Sequence, residues 1–142
     1  MSDPTPDFNT FNRALIEEFR ANNGKVSGGF ADSPLLLLTT TGARSGEERV
    51  NPVVYTTDGD RTIVIASKGG APTSPDWYHN LVANPEVTVE IPGETFRARA
   101  RVAEGAERDR LFRAQADQMP NFDQYATRTE RVIPVVVLER IG

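Results

Sequence analysis

The 142-residue sequence contains no cysteine and only one histidine, His79. Without cysteine the chain can form no disulfide, no thiolate metal site, no iron–sulfur cluster and no cysteine nucleophile. A single histidine likewise excludes a multi-histidine metal site and a histidine dyad. The side chains therefore offer little catalytic chemistry of their own, which favours dependence on a bound cofactor.

The sequence also lacks an excess of positive charge and any long apolar run. Its net charge of −4 argues against a nucleic-acid-binding domain, which is normally basic. No stretch approaches the 18 or more apolar residues of a membrane span. The first residues have neither the basic start nor the apolar core of a secretory signal, so we expect a cytoplasmic protein. The length predicts one domain over residues 1–142, with a flexible segment at residues 1–7.

Hydrophobic periodicity predicts a mainly β (α+β) fold. Apolar residues at helical spacing predict a helix at residues 8–24, and Gly24 is placed to end it. A short helix is predicted to start at Ser74 as its cap, and a charged helix at residues 106–119. Strands are predicted at residues 35–41, 50–57, 61–67, 87–91, 95–102 and 133–139. Six short strands with hairpin connections favour an antiparallel barrel with three to four flanking helices.

The densest group of binding residues lies in the connection between the first two strands, TGARSGEERVNP. Two glycines, a serine, Arg44 and Arg49 occur together there. Backbone amides freed at glycines can surround an anion, and guanidinium forks match phosphate oxygens. The alternative is an ordinary hairpin whose arginines face water. No GxxxxGK[ST] spacing is present, so the segment is not a nucleotide P-loop.

A second group ends the third predicted strand in the sequence ASKGG. Its glycines let a ligand approach the backbone, and Lys68 adds a point charge. The alternative is a plain turn with a surface lysine. If both groups act together, Arg44, Arg49 and Lys68 converge on one anion from neighbouring strands.

Aromatic residues mark two further segments. Trp77 and Tyr78 are adjacent on the short predicted helix, so they point about 100° apart. One would then face the core and the other a cleft, where an aromatic ring suits a planar cofactor. Trp77 as a plain core anchor is the alternative, and His79 is expected to lie at the surface. The segment MPNFDQY, predicted to be a loop, is typical of a pocket lid and carries Tyr125 as a candidate proton donor.

These four segments, in this order, resemble the deazaflavin-dependent nitroreductase family of actinobacteria. Its members use coenzyme F420, an 8-hydroxy-5-deazaflavin with a phosphate and an oligoglutamate tail. The matching strings are LLLTTTGARSGEERVNPVVY, ASKGGAPTSPDWYHNLVANPEV and RVIPVVVLER, and the likeness extends from about residue 11 onward. The resemblance implies a split β-barrel shared with FMN-binding oxidases, no metal, and hydride transfer from reduced F420 to a quinone or nitro-type acceptor.

The resemblance also implies roles for matching residues. The phosphate and tail would be faced by Ala43, Arg44, Ser45, Arg49 and Lys68. The deazaflavin ring and ribityl chain would be flanked by Val50, Asn51, Pro52, Val53, Val54, Ala66 and Ser67, with Trp77, Tyr78 and Asn80 completing that wall. Tyr125 matches a loop tyrosine placed over the substrate, and the backbone near Ser67 or the Tyr125 hydroxyl would stabilise charge on the acceptor. Family members that reduce nitroimidazoles are richer in tyrosine across that loop, where this chain has Phe122 and Arg128.

Three alternatives remain open at this level. The barrel is also compatible with an FMN-dependent oxidase, with a haem-degrading protein, or with a non-catalytic deazaflavin carrier. The apolar face of the first helix would either contact a membrane from the inner side or cap the barrel.

Overall fold

The structure, a computed structural model, describes residues 8–26, 34–66, 74–119, 121–127 and 132–141, without the side chains of residues 8–12, 121 and 125. Its elements are α1 (Phe8–Ala21), β1 (Leu35–Thr41), β2 (Glu48–Asp58), β3 (Arg61–Ile65), α2 (Asp76–Ala83), β4 (Glu86–Ile91), β5 (Glu94–Val102), α3 (Gly105–Gln118), α4 (Asn121–Thr127) and β6 (Val135–Arg140). The predicted segment at residues 1–7 lies outside this range, and a single domain over the whole chain stays a prediction.

The six strands close into an antiparallel barrel in the order β1-β2-β3-β6-β5-β4. In the β1–β2 register Leu36 lies opposite Val53, and both side chains point into the barrel. Alternate residues of the other strands join them, because successive side chains of a strand point to opposite faces. Trp77 and Leu81 of α2 belong to the same interior cluster. The predicted antiparallel barrel with flanking helices is confirmed.

Two further apolar clusters cover the outside of the barrel. Leu15 and Phe19 of α1 are buried against Leu35 and Leu37 of β1. The described part of the α1 apolar face therefore packs on the barrel, as expected if α1 caps it. On the other side, α3 and α4 cover β3 and β6. Within the described ranges no helix is long and apolar enough to cross a bilayer.

Two local expectations were wrong. Helix α2 begins at Asp76 with Pro75 in the capping position, so the predicted cap, Ser74, lies one residue before it. The segment expected to be a lid loop contains helix α4 instead. Phe122 is buried beside Phe112 in the α3 cluster, and an ion pair of 2.6 Å joins Arg113 of α3 to Asp123. Tertiary burial therefore favours helix at residues whose composition is typical of a loop.

A cluster of ion pairs ties the β2–β3 turn to α3. Glu107 accepts hydrogen bonds from Arg101 at 2.7 Å and from Arg61 at 3.2 Å. Asp58 pairs with Arg110 and Arg61. The hydrogen bonds from Arg101 and Arg61 lower the pKa of Glu107 to about 2, and those from Arg110 and Arg61 lower the pKa of Asp58 to about 2.

These lowered pKa values predict a defined sensitivity to acid. The unfolded carboxyls titrate near pH 4, so the stabilisation is complete above that pH and is lost as the pH falls toward 2. We expect Glu107→Gln to lower the melting temperature at pH 7. Between pH 7 and pH 3, the melting temperature of this variant should fall by less than that of the parent. Asp60→Asn, at an exposed turn residue without an ion pair among the described residues, should follow the parent. Equal acid sensitivity in Glu107→Gln and the parent would contradict this assignment.

Gln115 of α3 is fully buried, and neither its Oε1 nor its Nε2 has a hydrogen-bond partner within the described structure. A buried unpartnered polar group costs about 1–3 kcal/mol. Methionine has a similar shape and needs no partner, so Gln115→Met should raise the free energy of unfolding by about 1 kcal/mol or more in urea denaturation. Gln118→Met, at an exposed position of the same helix, should change it little. A clear loss of stability in Gln115→Met would show that the amide is partnered in solution.

Candidate functional site

The hairpin connection and α2 meet at one end of the barrel. Strand β1 runs toward this end and β2 away from it, so residues 42–47 form its rim. Helix α2 packs into the barrel core beside Ala66, which follows β3. We call residues 42–47, α2 and Ala66 the hairpin end. Ser67 and Lys68 are outside the described residues.

The backbone amides of the hairpin are mostly engaged within the turn itself. Gly42 N–H donates to the Glu47 carbonyl at 2.7 Å, and Gly46 N–H to the Gly42 carbonyl at 3.0 Å. Glu47 N–H donates to Ser45 Oγ at 3.1 Å. Gly46 has a φ of +72°, which favours glycine, and a Cβ on Gly42 would lie 2.5 Å from Ser45 Oγ and displace that hydroxyl. The expectation that these glycine amides are free for an anion is therefore wrong.

The hairpin arginines, in contrast, remain available. Arg44 is exposed and forms no ion pair with any described residue. Arg49 Nη2 lies 3.3 Å from Glu47 Oε2, with the two side chains 58% and 70% exposed. An exposed pair of this kind contributes little, so a phosphate or carboxylate can replace Glu47. This donor set fits a group with several negative charges, such as the phosphate and tail of F420.

Asn80 of α2 and Asn84, its C-cap, form hydrogen bonds to the end of β1 and to the first residue of the turn. Asn80 Oδ1 accepts from Ala43 N–H at 3.0 Å, and its Nδ2 donates to Thr40 Oγ1 at 3.2 Å. Asn84 Nδ2 donates to the Thr41 carbonyl at 3.3 Å. The sequence predicted cofactor contacts for Ala43 and Asn80, whereas the structure shows these two residues bonded to each other. The sequence patterns did not identify Asn84 or Thr40. For Asn84 the one signal is its spacing of four residues from Asn80, which places both on one helix face.

The two adjacent aromatics of α2 face different surroundings. Trp77 is only 8% exposed and packs in the barrel core with Leu81. Tyr78 is partly exposed and meets His79 edge-on, with ring centroids 5.5 Å apart. Trp77 is therefore the core anchor that was weighed as the alternative, and Tyr78 is the aromatic available to a ligand.

The predicted wall at residues 50–54 cannot be one side-chain surface. Val53 points into the barrel core, whereas Val50 and Val54 pack toward α1 on the opposite face. A planar ligand that contacts the whole stretch must therefore lie along the strand edge. Among the described strands that edge has no pairing partner, because β3 pairs with β2 only at residues 55–58 and 61–64.

The remaining predicted site residue lies on α4, whose Phe122 is buried against the outer face of the barrel. The side chain of Tyr125 is not described, so its position over an acceptor stays a prediction. No group of three or more acidic or histidine side chains in the described segments is arranged to hold a metal ion.

A cleft of about 290 Å³ lies at the opposite end of the barrel, between the end of α1 and the β4–β5 turn. It contains a two-pronged ion pair in which Arg20 donates to Glu90 at 2.7 and 3.0 Å. The sequence did not single out these residues, and the cleft does not adjoin the hairpin end.

Comparison with known proteins relates this arrangement to a family. The model of the F420H(2)-dependent quinone reductase family matches residues 11–140. An F420H(2)-dependent quinone reductase of Mycobacterium tuberculosis (strain H37Rv) is 40% identical over 126 residues, which are 86% of this chain and 85% of the relative. A solved F420-H2 dependent reductase is 38% identical with a TM-score of 0.69, covering 75% of this chain and 94% of that one. The haem storage protein HutZ of Vibrio cholerae has a TM-score of 0.62 at 17% identity, covering 89% and 88%, and shows the fold alone.

The barrel and these matches define the class of the protein as a split-barrel, F420-dependent oxidoreductase. The chain belongs to the F420H(2)-dependent quinone reductase family. This confirms the resemblance found in the sequence and the expected class of enzyme.

Proposed function

We propose that this protein oxidises reduced coenzyme F420 in the cytoplasm and reduces a quinone to its hydroquinone at the hairpin end. The family supports both the donor and the acceptor. The single observation that supports the location is the pair of arginines, Arg44 without an ionic partner among the described residues and Arg49 with an exposed one. They stand at the barrel end that α2 packs over.

Each part of the site has its own task in this proposal. When bound, the reduced deazaflavin supplies the hydride, and a proton completes reduction of the quinone. Arg44, Arg49 and Lys68 bind the phosphate and tail, while the edge of β2 at residues 50–54 and Tyr78 orient the ring. Holding donor and acceptor within reacting distance is the main contribution of the protein. The backbone near Ser67 or the Tyr125 hydroxyl donates a hydrogen bond to the acceptor oxygen as charge develops.

Anaerobic mixing of the protein, reduced F420 and menaquinone tests the proposal. We expect the fluorescence of oxidised F420 to return with multiple turnovers. A nitroaromatic acceptor in a parallel reaction tests the second acceptor class, and reduced FMN tests the rival flavin. Binding of reduced F420 without reoxidation would indicate a carrier, and equal turnover with FMN would remove the cofactor assignment.

Tyr125→Phe tests the proposed donor to the acceptor. Loss of the hydroxyl should lower kcat with menaquinone by about 10²- to 10³-fold, the usual effect of removing one donor to a developing oxyanion. The Kd of F420 should stay nearly unchanged, because the proposal assigns Tyr125 to the acceptor and not to the phosphate groups. Tyr55→Phe is the matched control, since it removes the same atom from a tyrosine that packs against the barrel core and whose pKa is raised by burial. Equal turnover for Tyr125→Phe and the parent would assign Tyr125 a packing role.

A further inference from the structure

The arginine hairpin has one attachment to the rest of the described protein beyond its own strands. Residues 43–47 are exposed, and their other described hydrogen bonds and ion pairs lie within the turn or join Glu47 to Arg49 of β2. The exception is the hydrogen bond of 3.0 Å from Ala43 N–H to Asn80 Oδ1. Among the described residues this bond is therefore the hydrogen bond that fixes the turn itself to α2.

Asn80 is itself held in place from the other side. Its Nδ2 donates to Thr40 Oγ1 at 3.2 Å, and Thr40 is buried with only 1% of its surface exposed. Because an amide is planar, fixing the nitrogen at Thr40 also fixes the oxygen that faces Ala43. The side chain thus links a buried strand residue to the first residue of the exposed turn.

These bonds leave Asn80 little capacity for a ligand. Its oxygen and one amide hydrogen are engaged within the protein, so one hydrogen remains as a donor. A neutral amide with one remaining donor contributes less to binding a phosphate than the two guanidinium groups beside it. Its larger effect would come through the position of those groups.

We propose that Asn80 is a positioning residue, which holds the hairpin so that Arg44 and Arg49 are arranged for the anionic part of the cofactor before it binds. This rests on the anion site in the proposed function. Preorganisation raises affinity because the bound state then requires little further ordering of the turn. Loss of Asn80 should therefore affect the charged end of the cofactor and leave the ring unaffected.

The test compares Asn80→Ala with Asn84→Ala, which removes the neighbouring bond to Thr41. Hydrogen exchange at Ala43 N–H is measured in the ligand-free proteins, and Kd is measured for F420 and for the same deazaflavin without its phosphate and tail. In Asn80→Ala we expect about tenfold faster exchange and about tenfold weaker binding of F420, with the Kd of the phosphate-free deazaflavin unchanged. Asn84→Ala should keep the parent values. Asn80→Asp retains the acceptor and should restore protection of Ala43.

Each other outcome has a defined meaning. Parallel weakening of both ligands, or unchanged exchange at Ala43, would overturn the positioning role. If Asn80→Ala fails to fold, Asn80→Ser, which is also too short to reach Ala43, takes its place with the same expectations. A parent that binds neither ligand would refute the proposed function, and the exchange data would still decide whether Asn80 holds the hairpin. A parent that binds both ligands equally would refute the anion site, and with it the contribution of Asn80 to affinity.

Discussion

Trp77→Ala should lower the free energy of unfolding by about 3–5 kcal/mol, the usual effect of removing a large buried aromatic side chain. Trp77 is 8% exposed and packs in the barrel core with Leu81 and Val87, so it attaches α2 to the barrel. The remaining cavity would lie beneath the helix, so the loss should be measurable by urea denaturation of the cofactor-free protein.

Tyr78→Ala is the matched control for this experiment. Tyr78 is only partly buried, so its removal should lower stability by less than half as much as removal of Trp77. It should weaken F420 binding more than Trp77→Phe, which keeps an aromatic ring in the core. If Trp77→Ala retained the parent stability and lost only cofactor affinity, Trp77 would belong to the binding surface.

The strands could be predicted closely because their signals are local. β1 is bounded by Pro34 and Gly42, and the predicted range agrees with the observed Leu35–Thr41. The predicted strands at residues 87–91 and 95–102 are likewise joined by a turn at Pro92 and Gly93, with a φ of +82° at Gly93. The order of strands in the closed barrel is not a local property. The pairing of β3 with β6 joins segments far apart in the sequence, which no periodicity in either strand reveals.

The errors arose where a distant contact decides the local structure. α4 forms because Phe122 is buried against α3, although the composition of its segment is that of a loop. Likewise, residues 50–54 form one continuous string in the sequence, whereas the pleat of β2 separates Val53 from Val50 and Val54. The hairpin arginines could be named as candidate anion-binding residues from residue types alone, and that role stays a prediction. The use of the Ala43 amide by Asn80 could not, because it depends on the docking of α2.

The second large effect expected concerns the choice of cofactor. F420 should bind at least tenfold more tightly than FMN, and the preference should shrink as the tail is shortened. FMN carries one terminal phosphate, whereas the tail of F420 continues into several carboxylates. Arg44, Arg49 and Lys68 offer more positive charge than a single phosphate requires. Each charged contact is worth about 1.5–3 kcal/mol before screening, and about 1.4 kcal/mol net suffices for a tenfold preference.

Neutral variants of the hairpin distinguish selection of F420 by the charge of its tail from recognition of its ring. Arg44→Gln combined with Arg49→Gln should weaken F420 binding at least about tenfold at low salt, because solvent screening leaves only part of each charged contact at these exposed side chains, and Lys68→Ala alone should weaken it by about 1–3 kcal/mol. Competitive titration followed by fluorescence measures both, and added salt should reduce the difference between parent and variants. Arg13→Gln, at an exposed position of α1 outside the hairpin sequence, removes one positive charge, as each hairpin substitution does, and should bind F420 like the parent. If the double variant and Arg13→Gln bound F420 equally well at low salt, the cations would have no part in selecting the cofactor, and its recognition would have to come from the ring alone.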